Sequence, residues 1–447
     1  MLVVGLGVSG RAVCELLMER GSVVMGTDLR PREAFNGALD KLERGGCRLR
    51  LGGHHVEDFR EVDQIIVSPG VPLDLEPLVE ARSRGIEIIG ELDWAWLQVG
   101  TPVVAVSGTN GKTTTTSLIG EIMKAWGKRV FVGGNIGTPL SRWVLQGGEA
   151  DVLVLEVSSF QLDTATHFRP EVGVLLNVTE DHLDRYESFS QYADSKFSLF
   201  SRQGPQDTGI LNLDDSICRR RSGEVPGRLL FYSRHDVTAN GRLKGVNIEL
   251  EVPWLGSFTV DLSGSKLQGA HNEENILAAC LASAVMGAGP SAMAGVIQSF
   301  AGLPHRVEWV RTWQGIDFYN DSKGTNVGAV VKALESFQRP VHILLGGRDK
   351  LGSYVPLGRA LRNKGKGAYV FGEAADRMRK ELETHLPTRA FPDLGKAFEA
   401  VVAEAQKGDV VLLSPACSSF DQYGSYTERG DHFRELVRGL PESGEEM

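Results

Sequence analysis

The sequence predicts an α/β protein of three successive domains, each built around a largely parallel sheet. Three observations carry that reading. A strand, a glycine turn and a helix follow one another twice, at residues 2–20 and 103–123. The last third of the chain repeats short apolar runs that end in polar loops, the pattern of strands feeding a binding edge. Finally, 447 residues suffice for about three domains of ordinary size. The composition shifts place the segments at 1–90, 91–302 and 303–447.

The first segment opens with an apolar run at residues 2–4, then Gly5, Leu6, Gly7, Val8, Ser9 and Gly10, then a helical pattern to Arg20. A second strand, residues 23–26, leads to Asp28. This is the GxGxxG fingerprint with an acidic residue about twenty positions on. Its physics specifies a diphosphate over a helix N-terminus, so NAD and a sugar nucleotide are both served. Further strands at residues 65–67 and 86–89 complete a small α/β unit.

The central segment carries the most specific stretch, VVAVSGTNGKTTTT at residues 103–116. A β-branched strand precedes it and a helix follows. Gly108 and Gly111 let backbone amides of the loop, Thr109 and Asn110 included, approach phosphate oxygens; Lys112 supplies a cation, and Thr113 offers a hydroxyl to magnesium. The usual phosphate loop has a glycine where Val106 stands, so this is a shortened variant. The next strand, residues 152–157, is apolar apart from Glu156 near its end. A carboxylate there either pairs with a metal or reaches solvent past the strand. Residues 172–178 repeat the strand pattern and run into Thr179, Glu180, Asp181, His182, Leu183 and Asp184. Oxygen ligands suit magnesium; His182 is as readily a hydrogen-bonding group. Lys196 lies in a helical pattern with Tyr192, Phe197 and Phe200, where spacing alone reads it as solvated. Asn272 and Asn275 open an apolar helix as caps or as amides for a base.

In the last segment Pro304, His305 and Arg306 follow a plausible hinge. Asp321, Ser322, Lys323, Gly324 and Thr325 come next, then Gly346 to Lys350 and Ser414 to Asp421, all in loops after apolar strands. Such loops suit a small charged substrate. Cys417 reads as a packing residue, and residues 442–446 as a disordered acidic tail.

The bulk properties exclude several classes. A net charge of -9 without a basic stripe argues against nucleic-acid binding. Five cysteines without paired spacing suit a reducing compartment better than a disulfide frame or zinc site. The most apolar helical run, residues 276–286, is too short to span a bilayer. With a strand already under way at Leu2 there is no room for a signal peptide, and a cytoplasmic protein is expected.

Taken in order, GTNGKT, GGNIG, EVSSFQLD, LNVTEDHLDR, HNEEN, PHR, DSKGTN, GGRDK and SPACSSFDQ resemble the Mur ligase family of cell-wall enzymes over essentially the whole chain. DSKGTN and SPACSSFDQ resemble its D-glutamate-adding branch. The resemblance implies a Rossmann-like N-terminal domain for a UDP group, a central P-loop ATPase domain, and a Rossmann-like C-terminal domain that brings the amino acid. It implies a cytoplasmic ligase, a monomer, that joins UDP-N-acetylmuramoyl-L-alanine to D-glutamate with ATP and two magnesium ions, through an acyl phosphate. Other readings are a folylpolyglutamate-type ligase sharing the ATPase core, against which the N-terminal GxGxxG domain argues, and a dinucleotide-dependent oxidoreductase.

The resemblance also assigns roles. Gly108, Thr109, Asn110, Gly111, Lys112, Thr113 and Thr114 would cradle the ATP phosphates, with Thr113 and Glu156 on one magnesium. His182 would ligate a second, and Lys196 would be carbamylated by carbon dioxide to help position metal. Asn275, His305, Arg306 and Asp321 would hold the nucleotide, and Lys323 would sit near its phosphates. Val8, Ser9, Asp28, Leu29 and Arg30 would meet the uracil and diphosphate; Asn135, Ser158 and Gln161 the rest of the UDP-sugar. Thr325, Lys350, Ser419 and the backbone at Tyr426 would cradle D-glutamate. The sequence departs from the family in starting at its first strand and in having Leu351, Gly352 and Ser353 after Lys350. It also has Tyr426 where Phe is usual, a difference expected to matter little if the contact is through the backbone.

Overall fold

The computed structural model describes residues 1–181, 185–267, 269–349 and 352–441. His182, Lys350 and the acidic stretch 442–446 lie outside the described residues. The chain divides into two compact units, 1–265 with 274–299, and 266–273 with the remainder from 300.

The first unit contains two sheets. One has strands β1 (Leu2–Val4), β2 (Met25–Asp28), β3 (Arg48–Leu51), β4 (Gln64–Val67) and β5 (Glu87–Gly90) in the order β3-β2-β1-β4-β5. All its pairings are parallel. The order reverses at β1, so the strand-end crevice for a ligand opens where Gly5 follows β1.

The other sheet has nine strands: β6 (Val103–Ser107), β7 (Val130–Gly134), β8 (Val152–Glu156), β9 (Val172–Leu175), β10 (Thr208–Asn212), β11 (Arg228–Ser233), β12 (Gly241–Lys244), β13 (Asn247–Val252) and β14 (Gly256–Asp261). Their order is β14-β13-β12-β11-β10-β9-β6-β8-β7. β6 is central and every one of its residues is buried, as its β-branched run requires. The antiparallel β12, β13 and β14 are not foreseen from sequence. Asn247, Ile248, Glu249, Leu250, Glu251 and Val252 alternate polar with apolar, and Ile248, Leu250 and Val252 are the buried ones.

The second unit has β15 (Glu308–Trp313), β16 (Ile316–Asn320), β17 (Val341–Gly346), β18 (Gly365–Phe371), β19 (Thr388–Phe391) and β20 (Val410–Ala416), ordered β15-β16-β20-β17-β18-β19. Only β15 is antiparallel. Apolar clusters on both faces carry its core, one including Val330, Leu357 and Met378, the other Phe318, Phe398 and Phe433. No described helix is long and apolar enough to cross a membrane.

Candidate active site

The loop after β6 is shaped by two glycines at positive φ, 146° at Gly108 and 87° at Gly111. Gly111, which has no side chain to cap with, is the N-cap of the helix Lys112–Ala125, so the N-terminus of that helix opens at the loop. Thr113 and Thr114 lie in that turn. A residue missed from sequence, Asn177, braces the loop. It accepts from the Asn110 amide at 2.9 Å, donates to the Asn110 carbonyl at 3.1 Å, and takes the Thr109 amide on its own carbonyl at 2.9 Å. Thr109 Oγ1 meets the Tyr192 hydroxyl at 3.1 Å.

Two lysines converge on one carbonyl here. Lys112 Nζ donates to Gly108 O at 2.8 Å and to Thr109 O at 2.9 Å, while Lys196 Nζ donates to Gly108 O at 2.9 Å. Lys196 is only 2% exposed and lies 4.7 Å from the centre of the Tyr192 ring, so the solvated reading is corrected. The reason is tertiary: the aromatic face and the loop carbonyl enclose it, which helical spacing cannot reveal. Burial first, and the Lys112 charge second, push its amine well below the ordinary lysine range.

Glu156 is 3% exposed at the end of β8. Its Oε1 accepts from Asn135 Nδ2 at 2.9 Å, whereas its buried Oε2 has no hydrogen-bond partner among the described residues. A bare buried carboxylate oxygen is costly, and it is the donor a hard cation takes. The donor chemistry fits magnesium. Asn135 thus rests on Glu156, and Ser158 and Gln161 close a capping box on each other around the helix Ser159–Leu162. Asn275 is not a cap: the helix Ala270–Val285 begins earlier, after Gly269 at φ 95°. Asn275 lies instead under the loop, where a Cβ on Gly111 would come within 2.3 Å of its Oδ1.

At the first sheet, Gly5 turns at φ 86° and a Cβ on Gly10 would meet Gly5 O at 1.9 Å. Asp28, 6% exposed, accepts from the Leu6 amide at 2.7 Å and from Arg30 N, Nε and Nη2 at 2.9, 2.9 and 2.8 Å. Burial alone would raise its carboxyl, but Arg30 and these amides together hold it below the usual range. The Arg30 guanidinium lies 4.4 Å from the centre of the Phe35 ring, and Val8 and Leu29 are exposed at the same edge. Ser9 opens the helix beside them. Ser68, also missed from sequence, donates to Gly5 O at 2.7 Å.

In the second unit the loop after β16 gathers the charged residues. Asp321 accepts from Ser414 Oγ at 2.6 Å and from the Val307 amide at 3.2 Å, and burial pushes it up to about 7. His305, in the left-handed region at φ 62°, contacts Asn320 Nδ2 at 2.9 Å and Arg434 at 3.1 Å. It fits against Gly430, where a Cβ would be 2.2 Å from its Nδ1. Arg306 is its partly exposed neighbour. Lys323 Nζ lies 4.0 Å from the centre of the Tyr426 ring, Thr325 N donates to Lys323 O at 2.8 Å, and Ser419 is buried beyond β20. Arg429, fully buried, donates to Ser322 Oγ and O at 3.0 and 2.9 Å and to Cys417 O at 3.1 Å. Cys417 is fully buried, as a packing residue.

Three α/β sheets, one carrying a phosphate-type loop with two lysines and a half-paired carboxylate, fit the class of nucleotide-dependent enzymes. Comparison with known proteins makes this specific. The MurD-like N-terminal domain of Mur ligases matches residues 1–90, the Mur ligase middle domain 106–283, and the Mur ligase glutamate ligase domain 305–417. The chain belongs to the Mur ligase family, which is ATP-dependent. It is 43% identical to the UDP-N-acetylmuramoylalanine--D-glutamate ligase of Geotalea daltonii, covering 98% of this chain and 97% of that one. The likeness to the ligase of the same name from Koribacter versatilis is 40%, covering 99% and 98%. A MurF ligase from Thermotoga maritima in complex with ADP shares the fold, with a TM-score of 0.63 at 19% identity over 94% of this chain and 96% of that one.

Proposed function

We propose that this chain is the ATP-dependent ligase that adds D-glutamate to UDP-N-acetylmuramoyl-L-alanine in peptidoglycan precursor synthesis. The observation that carries the reading is its end-to-end likeness, at 40 to 43% identity, to relatives named for that one ligation. We place the enzyme in the cytoplasm as a monomer, with domain boundaries after Gly90 and Gly302.

The chemistry explains the residues. A carboxylate resists an amine because its carbon is electron-rich and oxide is a poor leaving group; phosphorylating the oxygen removes both obstacles. In the proposed course, Lys112 and the amides of residues 108–114 stabilise charge on the phosphoryl group passing from ATP to the L-alanine carboxylate. The amine of D-glutamate then attacks the acyl phosphate, and phosphate leaves as the tetrahedral intermediate collapses. Magnesium, when bound, neutralises phosphate charge; Glu156 and Thr113 would hold one ion, and His182 a second. Lys196 is suited to carbamylation because burial holds its amine below the usual range, favouring the neutral form that attacks carbon dioxide; loss of one proton then leaves a carbamate anion beside the Lys112 cation.

Asn275, His305, Arg306 and Asp321 are assigned to the nucleotide and Lys323 to its phosphates. Thr325, Lys350, Ser419 and the Tyr426 backbone are assigned to D-glutamate. Val8, Ser9, Asp28, Leu29 and Arg30 are assigned to UDP, and Asn135, Ser158 and Gln161 to the remaining sugar substrate. With both carboxylate oxygens engaged by Leu6 and Arg30, the assigned part of Asp28 in UDP binding is to hold the loop and the Arg30 guanidinium in place. Phosphate release with ATP, magnesium, UDP-N-acetylmuramoyl-L-alanine and a panel of amino acids tests the reading. Release is expected with D-glutamate only; equal release with meso-diaminopimelate or L-alanine overturns it.

A further inference from the structure

Tyr426 is assigned a backbone contact, yet its ring is also engaged. Lys323 Nζ lies 4.0 Å from the ring centre, within the range of a strong cation–π contact. The loop that carries Lys323 is fastened to the same helix turn at two more points. Ser322 Oγ donates to Tyr426 O at 2.8 Å, and Arg429, one turn on in the helix Tyr426–Arg438, donates to Ser322 Oγ at 3.0 Å. The Lys323 amide is tied in turn to His305 O at 3.1 Å, and the His305 ring stands edge-on to Tyr426 with centroids 6.1 Å apart. Backbone bonds on both sides thus set where the lysine leaves the chain. Among the described residues, the aromatic face is what sets where its long, flexible side chain ends.

We propose that the Tyr426 ring is a positioning residue for the ligation, holding the Lys323 ammonium in place; this rests on the ligase reading above. A lysine without a rigid partner samples many rotamers, and confining its charge before the phosphates arrive removes an ordering cost from the transition state. Tyr426 then serves both halves of the reaction, its backbone at the amino acid and its ring on the lysine assigned to the phosphates. The phenol hydroxyl has no part in this. Any aromatic face suffices, whereas an aliphatic residue of similar bulk does not.

The test compares Tyr426→Leu and Tyr426→Phe in steady-state kinetics of the full chain with ATP, magnesium, UDP-N-acetylmuramoyl-L-alanine and D-glutamate. Tyr426→Leu keeps the backbone contacts, and its kcat is expected to fall roughly fivefold to thirtyfold, the worth of one cation–π contact, with KM for D-glutamate within about threefold of the parent. Tyr426→Phe is expected to rescue most of that loss. In a Lys323→Met background the leucine change should cost nothing further. Full turnover in Tyr426→Leu overturns the proposal, as do equal losses in the two variants, a rise in KM for D-glutamate alone, or additive losses with Lys323→Met. A parent enzyme that makes no product with D-glutamate overturns instead the ligase reading beneath it.

Discussion

The first unit contains two glycine turns that lead from a central parallel strand into a helix, and they use their charges in opposite ways. At Gly5–Gly10 the nearby carboxylate, Asp28, is saturated by a loop amide and by Arg30, so both of its oxygens are engaged. At Gly108–Gly111 two lysines share one carbonyl and Glu156 keeps an oxygen without a partner among the described residues. On the proposed reading, one backbone solution serves two tasks. A site with its charges settled can hold a diphosphate unchanged; a site with charges held in tension is ready to stabilise a phosphoryl group in motion.

The largest expected effects break that contrast at the second loop. Lys112→Met should lower turnover by about 10² to 10³ while leaving UDP binding, followed by calorimetry, as it was. A loss of UDP affinity of the same size would merge the two sites. Lys196→Ala should lose most activity and recover part of it with added short-chain carboxylic acids; near-normal turnover without them would make Lys196 a packing residue.

Smaller changes probe the backbone the loops have in common. Gly111→Ala, at φ 87° and facing Asn275 Oδ1, should weaken ATP binding roughly tenfold or more; Gly10→Ala, facing the rigid Gly5 carbonyl, should weaken UDP binding and lower thermal stability. Equal damage to both ligands by either change would remove the distinction. UDP should displace a fluorescent uridine probe from the first loop, while NADH fluorescence should stay flat on titration. Tight NADH binding indifferent to UDP would turn the first loop into a dinucleotide site.

The smallest effect extends the comparison to a third strand-end carboxylate. Asp321 is raised by burial to about 7 in the folded chain. A raised carboxyl contributes stability that is complete below its unfolded pKa, near 4, and is lost as pH rises through 7. Between pH 6 and 7 the parent should therefore lose about 1 kcal/mol relative to Asp321→Asn in denaturant titrations. An unchanged gap would show that Asp321 is ionised throughout that window.

Both loops were legible in the sequence because glycine, lysine and apolar strand runs are local signals. Glu156 was legible for the same reason, as a lone charge at the end of an apolar run. Lys196 was not: its burial depends on Gly108, 88 residues away, and its own helix looks the same whether it is exposed or enclosed. Asn275 was misplaced by one turn because Gly269 starts the helix earlier than the apolar run suggests. Of the strands β12 to β14, β13 carries a local alternation at residues 247–252 that makes it legible, whereas β12 has a single apolar residue, Leu243, in four. Tyr426 was judged by its backbone alone, since the partner of its ring is a lysine more than 100 residues earlier.

The brace that Asn177 places on the phosphate loop has a thermodynamic consequence. Because residues 109 and 110 are already tied at three points, nucleotide meets a cradle that is formed in advance, and little conformational entropy is spent on ordering it. ATP association should thus carry a small entropic penalty and a small heat-capacity change. On the proposed reading, its main local adjustment would be the exchange by Lys112 of two loop carbonyls for phosphate oxygens.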